Sequence, residues 1–203
     1  MSDHPKSDAH PHPHTHPRPQ LIVLVGPSGV GKDTVLKALA TKMKNLWVSV
    51  SVTTRPPRPG EVDGVSYDFI SNEEFDAMVN VNELLEWAEY AGARYGTPKA
   101  PIDLHIAQGK VVVLEIELEG ARQVRANAPD ARFVLLAPPS IDELKRRLAT
   151  RGTESPAEQE ARLAKALVEL AASDEFEAVI VNDSVEQAAD DLLAFALSSS
   201  NSK

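Results

Sequence analysis

Seven residues, Gly26-Pro27-Ser28-Gly29-Val30-Gly31-Lys32, carry the G-x-x-x-x-G-K spacing of a loop that holds phosphate. In that chemistry the glycines let the backbone turn with its N–H groups inward, forming an anion nest at the start of a helix. Lys32 adds a compact positive charge for the terminal phosphates of a nucleotide. The residue after the lysine is ordinarily a Ser or Thr whose hydroxyl meets Mg2+. Here it is Asp33, and the hydroxyl comes one place later, at Thr34. Asp33 either joins the magnesium shell, directly or through water, or favours the helix N-terminus by its charge. Residues 26–34 imply a site for a nucleoside triphosphate.

Three further groups have chemical potential. Arg55 and Arg58 stand three apart in Thr53-Thr54-Arg55-Pro56-Pro57-Arg58-Pro59-Gly60, where the prolines hold the chain extended. Guanidinium forks match phosphate oxygens, so this loop is a candidate oxyanion clamp. Glu115 and Glu117 close the apolar run Val111-Val112-Val113-Leu114, and acids at the carboxyl end of a parallel strand face the ligand crevice of an open α/β sheet. Arg146, Arg147, Arg151 and Arg162 flank the break Gly152-Thr153-Glu154, which predicts a helix–loop–helix closing as a lid.

These groups need elements to position them. Leu21–Val25 reads as a short buried strand, and Val35, Leu36 and Leu39 repeat at helical spacing behind Lys32. Trp47–Val52 alternates and predicts one strand, with shorter β-like pieces at Val65–Ile70, Leu84–Tyr90 and Arg94–Gly96. Ser71-x-x-Glu74, Ser140-x-x-Glu143, Ser155-Pro156-x-Glu158 and Ser184-x-x-Gln187 each predict the start of a helix. Val111–Glu115, Arg132–Ala137 and Ala178–Val181 complete a set of strands alternating with helices, so the expectation is an α/β fold with a parallel sheet.

Composition narrows the class. The chain has 203 residues, 42% hydrophobic and 25% charged, which suits one globular domain with a sizeable core. A net charge of −9 excludes a general nucleic-acid binder and confines any phosphate site to a local cationic cluster. The absence of cysteine rules out disulfides, thiolate catalysis and Cys-based zinc sites. No apolar run reaches the eighteen residues of a membrane span, so a cytoplasmic enzyme is expected. Residues 1–19 hold five of the six histidines and five of the fifteen prolines, a composition expected to stay disordered. Residues 199–203 carry the same expectation.

Together these motifs resemble the guanylate kinase family, enzymes that phosphorylate GMP from ATP. GPSGVGK (26–32), SVTTRPPRPGEVDGVSYDF (51–69), EWAEYAGARYGTP (86–98), VLEIELEGA (113–121), APPSIDELKRRLATRG (137–152) and VIVND (179–183) carry the resemblance from about Gln20 to Leu197. It implies a P-loop nucleoside monophosphate kinase fold, with a central parallel five-stranded sheet flanked by helices. The core would comprise 20–50, 100–139 and 166–198, the GMP-binding lobe 51–99, and the helical lid 140–165. By resemblance Ser51, Arg55, Arg58, Tyr67 and Tyr95 hold the GMP phosphate, while Glu86 and Thr97 read the guanine with Glu117 close by. Lys32, Arg55, Arg147, Arg151 and Arg162 are the expected catalytic cations, and Asn182 lies beside the ATP adenine. ATP, GMP or dGMP, and Mg2+ held at Asp33 or Thr34 are the implied ligands.

The chemistry agrees with these roles. Guanine offers N1–H and N2–H2 donors and an O6 acceptor, which a carboxylate and a hydroxyl complement. Adenine would set a lone pair against the carboxylate, and an unsatisfied buried polar group costs about 1–3 kcal/mol. Glu115 and Glu117 stand where some members of the family have aspartate, and Asp33 departs at the magnesium position. A peptide-binding scaffold of the same fold is disfavoured by the intact lysine and arginines, and a GTPase by the lack of N-K-x-D. A kinase of another acceptor is disfavoured by the Glu86/Thr97 pair.

Overall fold

Strand β1 (Leu21–Val25) is buried along its whole length and lies at the centre of a five-stranded sheet. The computed structural model describes residues 21–90, 92–149 and 156–198. β1 pairs in parallel with β7 (Val111–Glu115) on one side and β8 (Arg132–Ala137) on the other. β2 (Leu46–Val48) and β9 (Ala178–Val181) complete the order β2-β7-β1-β8-β9, every pair parallel. Ile22 and Leu24 face one layer of helices and Leu21, Val23 and Val25 the other, which is why the sequence reads as an unbroken apolar run. Helices α1 (Lys32–Lys42) and α7 (Val185–Leu197) cover the first face. Helices α3 (Lys99–Ala107) and α4 (Leu118–Asn127) cover the second.

The insert between β2 and α3 builds its own sheet, ordered β4-β3-β6-β5. Its strands are β3 (Val52–Thr53), β4 (Asp68–Phe69), β5 (Leu84–Tyr90) and β6 (Ala93–Pro98). Helix α2 (Asn72–Asn80) packs Phe75 against Val52 and Leu84 to give this sheet a small core. The predicted capping box is present: Ser71 Oγ accepts from the Glu74 N–H, and Glu74 returns a bond to the Ser71 N–H. Helices α5 (Ile141–Ala149) and α6 (Pro156–Ala171) pack through Leu144, Leu148 and Ala166. Among the described residues no helix is long and apolar enough to cross a membrane.

Two strand expectations need correction. The alternating run 47–52 is not one strand, because β2 ends at Val48 and β3 starts at Val52 in the other sheet. Ser49 donates a last bond to Val113 O before the chain crosses over. Alternation reports a half-covered surface, and it cannot reveal a change of sheet. Of 65–70, only Asp68–Phe69 is strand, since Val62–Ser66 is a turn closed by Ser66 N–H on Val62 O. The expected lid boundary at 165/166 falls inside the unbroken helix α6.

The C-terminal end of α7 is fastened to the sheet by one buried side chain. Arg132 Nη1 donates to Phe195 O at 2.7 Å and Ser198 O at 2.9 Å, and Nε to Glu177 at 3.0 Å. Because α7 packs on α1, this clamp also supports the helix behind the phosphate loop. Arg132→Ala should cost about 2–4 kcal/mol, roughly 5–15 °C in melting temperature, and Arg132→Lys should recover little because it lacks the fork. A melt unchanged in Arg132→Ala would remove the clamp from the account.

Candidate active site

Parallel pairing sets four strand ends along one rim. Leu24 lies opposite Glu115, Val25 opposite Leu135, and Ala137 opposite Val181. The glycine loop, Glu115 and Asn182 therefore emerge side by side. Gly31 caps α1 with φ 97°, a left-handed conformation that side chains resist, and a Cβ there would lie 2.7 Å from Asn182 Nδ2. Asn182 is buried, donating to Val30 O at 2.7 Å. Asn182 is expected beside the adenine, and its side chain also braces the phosphate loop.

Lys32 Nζ donates to Gly26 O at 2.6 Å and lies 3.8 Å from Glu115. Burial pushes the Glu115 carboxyl up to about 7, against the pull of Lys32, and the neighbouring Asp33 adds to the rise through its charge and a hydrogen bond. Asp33 and Glu115 are neighbouring carboxyl groups at the mouth of the loop, a place that suits a hard cation. Mg2+ is ordinarily held through one or two carboxylates plus phosphates and waters, so this donor set fits it. Among the described residues no group of three acids or histidines could hold a metal without such help. Thr34 occupies the first turn of α1 beside Asp33.

Arginines of α5 and α6 reach this loop. Arg147 Nη1 and Nη2 donate to Val30 O and Asn182 O, each at 3.3 Å, and Nε pairs with Glu143 at 2.8 Å. Arg162 Nη2 donates to Ser28 Oγ at 2.7 Å. Arg151 lies outside the described residues. A cavity of about 240 Å3 lies between the loop and the insert, lined by Lys32, Glu117 and Arg162 together with Tyr67 and Tyr90 of the insert.

In the insert, Arg55 and Arg58 meet at one carboxylate. The Arg55 fork grips Glu61 at 2.6 and 2.7 Å, and the Arg58 backbone N–H donates to the same group at 2.7 Å. Arg55 above all, then Arg58, holds the Glu61 carboxyl down at about 2. Arg55 Nε donates to Tyr95 Oη at 3.2 Å, and its guanidinium lies 4.9 Å over the Tyr67 ring. Ser51 stands at the entrance to β3, its carbonyl accepting from the Asp68 N–H. Arg55, Tyr67 and Tyr95 thus cluster with the Glu61 carboxylate, and the backbones of Ser51 and Arg58 lie beside them.

Glu86 and Thr97 are ladder partners on β5 and β6, both buried. The Thr97 hydroxyl, expected to donate to a base, donates to Glu86 Oε1 at 2.5 Å. Burial raises the Glu86 carboxyl above its ordinary value; Thr97 opposes this and the nearby Glu117 adds to it. Glu117 is the N-cap of α4 and pairs with Lys165 Nζ at 2.6 Å, while that ammonium lies 4.4 Å over the Tyr90 ring.

Sequence reasoning gave no role to Glu61, Lys165 or Glu169. Glu169 is 5% exposed on the cavity wall, its carboxyl raised by burial. Lys165 and Glu169 follow Arg162 at three and seven places, one face of α6, so helical spacing was the signal that could have found them. Glu61 lay in a quoted motif, and only folding of the proline loop brings it onto Arg55.

Comparison with known proteins is consistent along the chain. The family model described as guanylate kinase matches residues 18–198. A guanylate kinase of Thermobifida fusca (strain YX) is 60% identical over 175 residues, 86% of this chain and 89% of the relative. One from Streptomyces coelicolor is 57% identical over 86% and 89%. The crystal structure of guanylate kinase from Anaplasma phagocytophilum superposes with a TM-score of 0.71 at 30% identity, covering 89% of this chain and 85% of that one.

The buried Glu86 makes stability depend on pH. Its folded-state value lies above that of the unfolded chain, so the folded protein holds the proton more tightly. Stability from this group is fully present below the ordinary glutamate value and is lost as pH rises through the raised one. Glu86→Gln should stabilise the ligand-free protein measurably at pH 8 and by little at pH 4.5. Thermal melts of both proteins across that range give the answer, and a gap independent of pH would contradict it.

Proposed function

The chain belongs to the guanylate kinase family and transfers the γ-phosphoryl group of ATP to GMP, and we propose that it does so by positioning and charge compensation from the residues described above. The observation that carries this reading is a cavity lined by Lys32 of the phosphate loop, Arg162 of α6, and Tyr67 and Tyr90 of the insert. ATP phosphates lie on the N–H groups of 26–34, with Lys32 at the β- and γ-phosphates. Asn182 steadies the loop and borders the adenine. Asp33, or Thr34 beside it, would hold Mg2+ directly or through water, and the ion would supply neutralisation of the phosphate charge.

On the insert, the lobe 51–99, the GMP phosphate takes the place of the Glu61 carboxylate at Arg55. Ser51, Arg58, Tyr67 and Tyr95 complete its shell. The Glu86 carboxylate accepts from guanine N1–H and N2–H2, with Glu117 alongside, and the Thr97 hydroxyl turns from Glu86 to O6. The assigned groups address the base and the phosphate, not the ribose 2′-hydroxyl, so dGMP is accepted as well.

No dedicated base is needed, because the acceptor phosphate is already an anionic nucleophile. Arg147, Arg151 and Arg162, on the lid 140–165, approach the transferring group as the lid closes and water is excluded. Each cation stabilises charge on the equatorial oxygens, and removal of one preorganised donor typically costs about 10²–10³ in rate. A cytoplasmic location suits an enzyme that draws on both nucleotides.

A coupled assay of ADP release with ATP and Mg2+, offering GMP, AMP, UMP and dTMP in parallel, tests this reading. Release should depend on GMP and stop when EDTA is added. Lys32→Ala should lower kcat at least 10²–10³-fold with the melting temperature unchanged. Equal release with every acceptor would leave an unspecific ATPase and reject the assignment.

A further inference from the structure

Strand β5, which carries Glu86, is an edge strand, and an edge leaves backbone groups without strand partners. Helix α4 of the core takes up three of them with side-chain amides. The Trp87 N–H donates to Gln123 Oε1 at 3.1 Å, and Gln123 Nε2 donates to Trp87 O at 2.9 Å. Asn127 Nδ2 donates to Leu85 O at 2.8 Å. The bonded residues flank Glu86 on both sides, so the backbone under this carboxylate is held by the core as well as by β6.

The same helix face meets the carboxylate itself. Gly120 precedes Gln123 by three residues and Asn127 by seven, which puts all three on one stripe of α4. A Cβ on Gly120 would lie 2.6 Å from Glu86 Oε2 and 3.2 Å from its Cδ. Real side chains do not approach so closely, so the carboxylate occupies room that only glycine leaves. It lies against the first turn of α4, where the helix dipole favours negative charge. Thr97 holds the other oxygen at 2.5 Å.

We propose that the α4 stripe Gly120–Gln123–Asn127 is a positioning element for guanine recognition, fixing the Glu86 carboxylate and so setting selectivity among purine acceptors. The proposal rests on the reading of Glu86 as the guanine reader. Two donors of the base, N1–H and N2–H2, must both find carboxylate oxygens, and a carboxylate pushed off Gly120 or a strand released by Gln123 meets at most one. An error of about 1 Å in a bound group costs on the order of 10²-fold. Inosine monophosphate, which lacks the 2-amino group, is the natural probe.

The test compares kcat and KM for GMP and inosine monophosphate, and KM for ATP, in wild type, Gly120→Ala, Gln123→Ala, Glu86→Asp and Gly120→Ala/Glu86→Asp. Gly120→Ala should raise KM for GMP roughly 10–100-fold, leave KM for ATP within about twofold, and shrink the preference for GMP over inosine monophosphate. Gln123→Ala should shift both in the same direction by a smaller factor, and it decides the matter if Gly120→Ala does not fold. In the Glu86→Asp background the carboxylate is withdrawn by one methylene, so adding Gly120→Ala should cost much less than in wild type. The proposal is overturned if both single variants keep the wild-type GMP preference, if GMP and ATP suffer alike, or if Gly120→Ala costs the same in both backgrounds. Glu86→Ala separates the causes. Collapse of GMP preference there, with none in the α4 variants, sinks the stripe alone, whereas no effect there removes the guanine reader and the stripe with it.

Discussion

The burial of β1 on both faces, between β7 and β8, is the constraint on which the catalytic crevice depends. A strand so enclosed has one register with each neighbour, and Leu24 opposite Glu115 and Val25 opposite Leu135 fix where the strands end. The phosphate loop starts from that fixed point. Its glycines turn it over the sheet, Asn182 supports it from just past β9, and Arg147 of α5 and Arg162 of α6 touch it. Precision in the loop is inherited from apolar packing beneath it, where Ile22, Leu24, Val113 and Leu136 are all but inaccessible to solvent.

A second feature runs through the site. A chain of net charge −9 that handles two polyanions must concentrate cations, and among the described residues four of these are engaged with internal acceptors. Arg55 grips Glu61, Lys165 grips Glu117, Arg147 grips Glu143 and Lys32 reaches the carbonyl of Gly26. Such pairs hold the cations in place where mutual repulsion would otherwise spread them. On the proposed mechanism, substrate phosphates replace acceptors that the protein already supplies, so binding is an exchange between charge-assisted bonds.

Much of this was legible from the amino-acid order. The loop 26–32, the apolar strands and the helix starts at Ser71, Ser140 and Ser184 are local signals, written within a few residues, and each appears as expected. Guanylate kinase membership followed from motifs spaced along the chain and agrees with the family match over 18–198. What stayed hidden was long-range. Splitting of 47–52 between two sheets depends on which strand lies alongside. Glu61 becomes a partner of Arg55 only when the proline loop folds back. The grip of Gln123 on Trp87 joins residues thirty-six apart, and no local pattern announces it.

The central claim is a division of labour: the phosphate loop holds the donor nucleotide, and the buried carboxylate of the insert holds the acceptor base. Calorimetric titration of Lys32→Met and Glu86→Gln, each with GMP and with a non-hydrolysable ATP analogue plus Mg2+, tests it directly. The account predicts a crossed pattern. Lys32→Met should keep GMP affinity within about threefold and lose the analogue by tenfold or more, and Glu86→Gln should do the reverse. Equal damage to both ligands in either variant would contradict the division.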